Sequence, residues 1–317
     1  MLAERLLGRR LVILSGKGGV GKSVVGAALA LLAAERGKRT LLVEIDTALE
    51  AARYLDATPS GPLPTEVRPS LFTVNLDPRG VMDEYVRHTV RVGMFARRIL
   101  ESPLYDRFFT TAPALKELML LGKVMVLEEE REGWSRRPKW DLIVVDAPAT
   151  GHGLSFLKVP LAASAAVPIG PVGANARRIL ALMRDAKRSA LVVVAIPEEM
   201  AVVEAAWFHD MAVQEVGLDC AGVVLNAAHE RRFTDAEEAQ VLRLTKDEAN
   251  GRLARDVELG AALVAARRHI RRRKLTRFYE GRLKRSLKAP LVSLPFLFAD
   301  RFGLAEIRAL AGRLAEA

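Results

Sequence analysis

A doubly wound α/β fold, with a mostly parallel sheet and helical insertions, is predicted by two observations. Short apolar runs recur along the chain with helical stretches between most of them, and the first run leads straight into a glycine-rich turn that opens a helix. The runs are Leu11–Ser15, Thr40–Ile45, Leu71–Leu76, Leu142–Val145, Leu191–Ile196, Gly222–Leu225 and Leu291–Leu294. Several carry Val or Ile and lack an alternating polar face, as strands covered by helices on both sides do. Strands alternating with helices imply a parallel sheet.

The 317 residues, half of them hydrophobic, suffice for one large α/β domain over 1–317. Two stretches interrupt the alternation. One, at about 79–137, is mainly helical; the other, at about 229–288, is helical and basic. Within the second, Thr234-Asp235-Ala236-Glu237 has the spacing of a capping box that starts a helix, and Gly251 is expected to end it. From Arg267 to Lys288 the basic excess equals the whole net charge of +10, so an anionic partner meets this segment first. Ile270, Phe278, Tyr279, Leu283 and Leu287 form an apolar stripe through it, expected to be core.

Cys220 is the one cysteine, which excludes a disulfide framework and a cysteine-based metal cage. The first ten residues are charged and the apolar run after them is short, so no secretory signal is expected. Val159–Ala176 is low in charge but broken by Pro160, Pro168, Gly170, Pro171 and Gly173. It makes a poor membrane span and is expected to be a loop. A cytoplasmic protein follows, peripheral at the membrane at most.

The glycine-rich turn is Gly16-Lys17-Gly18-Gly19-Val20-Gly21-Lys22-Ser23, after apolar Leu11–Leu14 and before a helical run from Val24 to Ala34. Glycines let backbone N–H groups converge on phosphate oxygens, and the helix N-terminus adds positive dipole. Lys22 reaches the β- and γ-phosphates as a point charge, and the Ser23 hydroxyl ligates Mg²⁺. Gly16, Gly18, Gly19, Val20, Gly21, Lys22 and Ser23 are therefore the candidate nucleotide cradle of a P-loop NTPase, with ATP and Mg²⁺ as ligands.

Two acids follow at strand ends, where such sheets bind ligands. Asp46 follows the second strand and either orients a water for in-line attack on the γ-phosphate or caps the next helix, a use Thr47 shares. Glu44, of the same parity in the strand, is the weaker candidate. Asp146 ends the strand Leu142-Ile143-Val144-Val145, the place of a carboxylate that holds Mg²⁺ directly or through water.

Lys17, directly after the first glycine, gives Lys-Gly-Gly-x-Gly-Lys-Ser, which resembles the deviant Walker A loop of the MinD, ParA, ArsA and nitrogenase iron-protein group. The resemblance implies that Lys17 reaches across a dimer to the partner's nucleotide. Without it, Lys17 is an ordinary solvated loop lysine. The stretch from Asp146 through Ala147-Pro148-Ala149-Thr150-Gly151-His152 to Phe156-Leu157 is similar to the switch II segment of ArsA-type ATPases and of the guided-entry ATPases that target tail-anchored proteins. It implies that Thr150, Gly151 and His152 couple phosphate state to shape. Asp77-Pro78 with Glu84-Tyr85 resembles the entry to that family's helical subdomain, and Ile196-Pro197-Glu198 its strand end. Asn226 matches the adenine-reading asparagine, whose amide donates and accepts at the base edge. Leu294-Pro295 matches the loop that packs on adenine. Read alone, Asn226 is a turn residue and Pro295 a loop stop. The wording around Ala147–Gly151, with Gly170-Pro171 in a short following loop, looks most like the bacterial branch.

The sequence departs from the family in three places. The targeting members' zinc-binding C-x-x-C pair is absent, so no zinc site is expected, and Cys220 alone supplies no metalloid site. The stretch from Pro160 to Ser189 has room for one loop and one helix, Asn175 to Lys187. The family's D-P-A-H is Asp46-Thr47-Ala48-Leu49 here. The resemblance implies a Mg-ATP-hydrolysing switch of the ArsA/guided-entry type. It would work as a homodimer or as a heterodimer with a related ATPase. Its output would be the handling of a client, membrane-protein targeting being the first expectation. The alternative is a MinD/ParA-like ATP-dependent dimer that holds an anionic membrane through the basic segment, with nucleic acid the less expected ligand.

Overall fold

The computed structural model describes residues 2–45, 50–58, 60–89, 113–133, 136–148, 150–249 and 257–316, with positions 97, 98, 100–103, 105 and 107 between them. Elements follow in the order α1 (Leu2–Leu7), β1 (Leu11–Ser15), α2 (Lys22–Glu35), β2 (Thr40–Ile45), α3 (Glu50–Tyr54), β3 (Thr65–Arg68), β4 (Leu71–Leu76) and α4 (Pro78–Thr89). Then come α5 (Pro113–Glu129), β5 (Leu142–Asp146), α6 (Thr150–Ala166), α7 (Pro171–Arg184), β6 (Ser189–Ala195) and α8 (Glu199–Met211), which runs on as a π-helical turn, Ala212–Val216. The chain continues with β7 (Cys220–Ala228), α9 (Asp235–Ala249), α10 (Val257–Ser286), β8 (Leu291–Pro295) and α11 (Leu304–Ala315).

One eight-stranded sheet runs β3-β4-β2-β5-β1-β6-β7-β8. All neighbours pair in parallel except β3, which is antiparallel to β4. The fully buried strands are the inner ones: every residue of β1, β2, β5 and β6 is buried. Successive side chains alternate between two cores. Leu11, Ile13, Val43 and Val145 meet side chains of α5, α6, α7 and α8 on one face. Val12, Leu14, Leu42 and Val144 meet α1, α2 and α11 on the other. From Val25 to Ala34 α2 is buried all round, as a helix pressed between a sheet and other helices must be.

β3 is a strand the hydrophobic pattern missed. Its sequence, Thr-Glu-Val-Arg, is polar and largely exposed at the sheet edge, where no second apolar face is needed. The expected loop at 159–176 is mostly helix. α6 runs on through Pro160 to Ala166 and α7 begins at Pro171, so only 167–170 connect them. Burial of Leu154, Phe156, Leu157 and Val159 holds α6 together despite the hydrogen bond that Pro160 removes. Gly170 is the N-cap of α7 and Pro171 takes its first turn, a position proline favours. The helix expected from Asn175 thus starts one turn earlier.

At the other end of the strands a carboxylate ties α5 to the sheet. Glu128 is fully buried, accepts from Arg10 Nε at 2.5 Å, and pairs with Arg188. In α9 the capping box forms: Thr234 N–H donates to Glu237 Oε2 (2.7 Å) and Glu237 N–H to Thr234 Oγ1 (3.3 Å). Gly251 lies outside the described residues. Of the stripe, Ile270 and Leu283 on α10 and Leu287 just past it are buried, but Phe278 is 58% exposed. At 3.6 residues per turn Phe278 falls about 140° around the helix from Leu283, which turns it away from the core.

Candidate functional site

The C-terminal ends of β1, β5, β6 and β7 converge on the glycine-rich loop. Register pairs Leu14 with Asp146, and Glu44 with Asp146, across the three central strands. β1 ends at buried Ser15 and the chain turns through 16–21 into α2. Gly21 is the N-cap of α2, with φ 85°, a left-handed conformation that costs an L side chain but not glycine. A Cβ there would also stand 2.3 Å from Asn226 Nδ2. Asn226, two residues before the end of β7, donates from Nδ2 to Val20 O at 2.9 Å and so pins the loop to the sheet. Gly21 is thus required by both backbone shape and space.

The start of α2 has no side-chain cap and no acid in its first turn. Its N-terminal N–H groups and positive dipole end are therefore presented to an anion. Lys22, the first helical residue, bends back over the loop, with Nζ 3.2 Å from both Gly16 O and Lys17 O. Burial pushes its ammonium below the ordinary lysine value, and the Asp146 carboxylate works against that. Ser23 Oγ donates to Asp146 Oδ2 at 2.5 Å, across 123 residues of sequence. Asp146 is itself 1% exposed. A hydroxyl and a carboxylate oxygen brought together beside a phosphate-shaped loop are the hard oxygen donors that Mg²⁺ prefers. The residues present therefore fit a Mg-nucleotide.

The other expected residues are placed as follows. Lys17 Nζ pairs with Glu204 Oε1 on α8 at 2.8 Å, both partly exposed. This partner, 187 residues away, leaves no mark in the sequence pattern. Glu44 is fully buried and its Oε1 accepts from Ala51 N–H (2.9 Å) in the first turn of α3. Pro295 ends β8 opposite Ala228, two residues beyond Asn226. Thr150 starts α6, followed by Gly151 and His152 in its first turn; the side chains of these three lie outside what is described. So does Asp46, with its neighbours through Leu49. Cys220 is mostly buried, and burial pushes its thiol up to about 12, which suits packing and not a thiolate ligand. Among the described residues no group of three or more His, Cys, Asp or Glu is placed to hold a metal ion.

A parallel sheet, a strand–glycine loop–helix at its centre and a Ser–Asp pair at the loop's exit define a P-loop nucleotide-binding protein. Comparison with known proteins narrows the class. The profile of the anion-transporting ATPase (ArsA) family matches residues 9–169, and the chain belongs to that family. It is 32% identical to the ATPase BagA of Mycobacterium tuberculosis over 209 residues, 63% of this chain and 60% of the relative. It is 30% identical to ATPase ASNA1 homolog 1 of Paramecium tetraurelia over 151 residues, covering 47% and 43% of the two chains. It is 28% identical to the arsenical pump-driving ATPase of Escherichia coli over 243 residues, covering 69% and 40%. The matches thus span between about two fifths and three fifths of these relatives' lengths.

Proposed function

We propose that this chain binds Mg-ATP at the loop 16–23 and hydrolyses it. The observation that carries the reading is the 2.5 Å hydrogen bond from Ser23 to Asp146 at the N-terminus of α2. Lys22 and the loop amides hold the phosphates, and Ser23 with Asp146 holds Mg²⁺, directly or through water. An ion held there by Ser23 and Asp146 would supply positive charge to the phosphate oxygens. Asn226 and Pro295 hold the adenine. Asp46 orients the attacking water, and Thr150, Gly151 and His152 register whether the γ-phosphate is present. Asp146 and the start of α6 are only four residues apart, so a change at the phosphate reaches a long helix directly.

The working unit in this reading is a dimer, in which Lys17 serves the nucleotide of the other subunit. Its ammonium does not fold over its own loop; Glu204 holds it at the protein surface. The output is the handling of a client, with an apolar membrane-protein segment as the client class. A cavity of about 380 Å³ between α4, α5 and α7, lined by Met82, Leu118, Met119, Val126 and Ile179, supports that part. Among the described residues no helix is long and apolar enough to cross a membrane.

Phosphate release measured against Mg²⁺ concentration tests the site. Ser23→Ala and Asp146→Asn should each require more Mg²⁺ and turn over slowly. Unchanged Mg²⁺ dependence in both variants would remove the assignment. A fluorescent apolar helical peptide should bind the native chain and lose affinity in Met119→Asp; equal binding would remove the client reading alone.

A further inference from the structure

α10 is a 30-residue helix, about 45 Å long, with two unlike faces. Its inner face buries Leu263, Ile270, Thr276 and Leu283. On the outer face Arg268, Arg271, Leu275, Phe278, Arg282 and Arg285 alternate three and four apart, the spacing that aligns residues on one stripe. Leu275 is 40% exposed and Phe278 58%. Arg267 and Arg272 flank the stripe and are exposed. Among the described residues none of these arginines is ion-paired, whereas Lys274 and Lys284 on the same helix meet Glu238 and Glu280.

We propose that this outer face docks on an anionic lipid surface. A face that only meets water has no use for Leu275 and Phe278 side by side at its centre. Duplex phosphates would satisfy the arginines but leave the apolar pair in solvent. The boundary between headgroups and acyl chains satisfies both. Guanidinium groups pair with lipid phosphates while their stems lie along the apolar layer. Leu275 and Phe278 enter that layer between the arginines, with Arg268 and Arg271 on one side and Arg282 and Arg285 on the other. The helix lies along the surface and does not span it. This inference does not rest on the ATPase reading, since no residue of the loop takes part.

Flotation of the full chain tests it. The probes are vesicles of phosphatidylcholine alone and of phosphatidylcholine mixed with phosphatidylglycerol, at low and high salt, beside filter binding to duplex DNA. The native chain should float with the anionic vesicles, not with the neutral ones, and should be released by salt. Arg268→Gln with Arg271→Gln should weaken vesicle binding about 25-fold, at roughly five-fold per arginine. Leu275→Ser with Phe278→Ser should weaken it about ten-fold; both residues are exposed, so thermal melting should be unchanged. Failure to float at low salt would overturn the proposal. So would vesicle binding indifferent to Leu275→Ser with Phe278→Ser. Tighter binding to DNA than to vesicles would also overturn it and give the arginine face to nucleic acid.

Discussion

Replacing Gly21 with alanine tests how the loop is built. The substitution places a Cβ at φ 85° and 2.3 Å from Asn226 Nδ2. The left-handed conformation costs an L residue about 1–2 kcal/mol. Displacing Asn226 breaks its 2.9 Å bond to Val20 O, a net loss of about 0.5–1.5 kcal/mol. Together they weaken the bound conformation of the loop by roughly 1.5–3.5 kcal/mol, or about 10- to 400-fold in Mg-ATP affinity. Gly19 is the control. Its φ is 81°, but a Cβ there meets nothing within 4 Å, so Gly19→Ala carries only the strain, about 5- to 30-fold. In an Asn226→Ala background Gly21→Ala also carries only the strain. A cycle of native, Gly21→Ala, Asn226→Ala and the double variant should therefore show coupling of about 0.5–1.5 kcal/mol. Displacement of a fluorescent nucleotide, with thermal melts to confirm folding, supplies the affinities. Strict additivity, or a Gly21→Ala defect no larger than that of Gly19→Ala, would refute the reasoning.

Three further outcomes follow from the geometry. Glu204→Gln breaks a partly exposed pair worth roughly 0.2–1 kcal/mol. If Lys17 acts on a second subunit, freeing it should raise hydrolysis about 1.4- to 5-fold at low protein concentration, and an unchanged concentration dependence counts against that role. Cys220 should be alkylated about a thousand-fold more slowly in the folded chain than in urea at pH 8, because a thiol at about 12 is scarcely ionised; peptide mass spectrometry against time reads this. Burial alone would raise the Glu128 carboxyl, but hydrogen bonds and charge from Arg188 and Arg10 outweigh it and hold the group below its ordinary value. Its stabilisation is thus complete above the unfolded carboxylate value of about 4.3 and lost as pH falls through the depressed one. Glu128→Gln should cost about 1.5–3 kcal/mol at neutral pH, where two partly exposed arginines lose their charged partner. The difference from native in denaturant melts should shrink as the pH drops below 4.

The inner sheet was legible because each of its strands is apolar on both faces, a pattern that hydrophobic runs report directly. β3 was not, because Thr65–Arg68 is an edge strand whose stability comes from pairing with β4 and not from burial. Prolines misled at 159–176: proline at the start of a helix and proline inside a well-packed one look alike in sequence. In the site, Gly16–Ser23 was legible from spacing and Asp146 from its place at a strand end. The fold then brought Ser23 and Asp146 to 2.5 Å. Asn226 was expected at the base; its hold on Val20 O was not, since backbone acceptors leave no trace in a pattern of side chains. The pairing of Lys17 with Glu204 was equally hidden, because α8 approaches the loop only in three dimensions. Phe278 reads as core from the sequence because an apolar residue near an apolar stripe looks like part of it until its angle around the helix is taken into account.

In the proposed function the loop 16–23 holds Mg-ATP through Lys22. Isothermal titration of Mg-ATP into the native chain and into Lys22→Ala tests it most directly. Saturation at one nucleotide per chain is expected for the native protein and no detectable binding for Lys22→Ala, because the phosphates lose the ammonium that stands over the loop. Equal affinity in the two proteins, or no binding by the native chain, would contradict it.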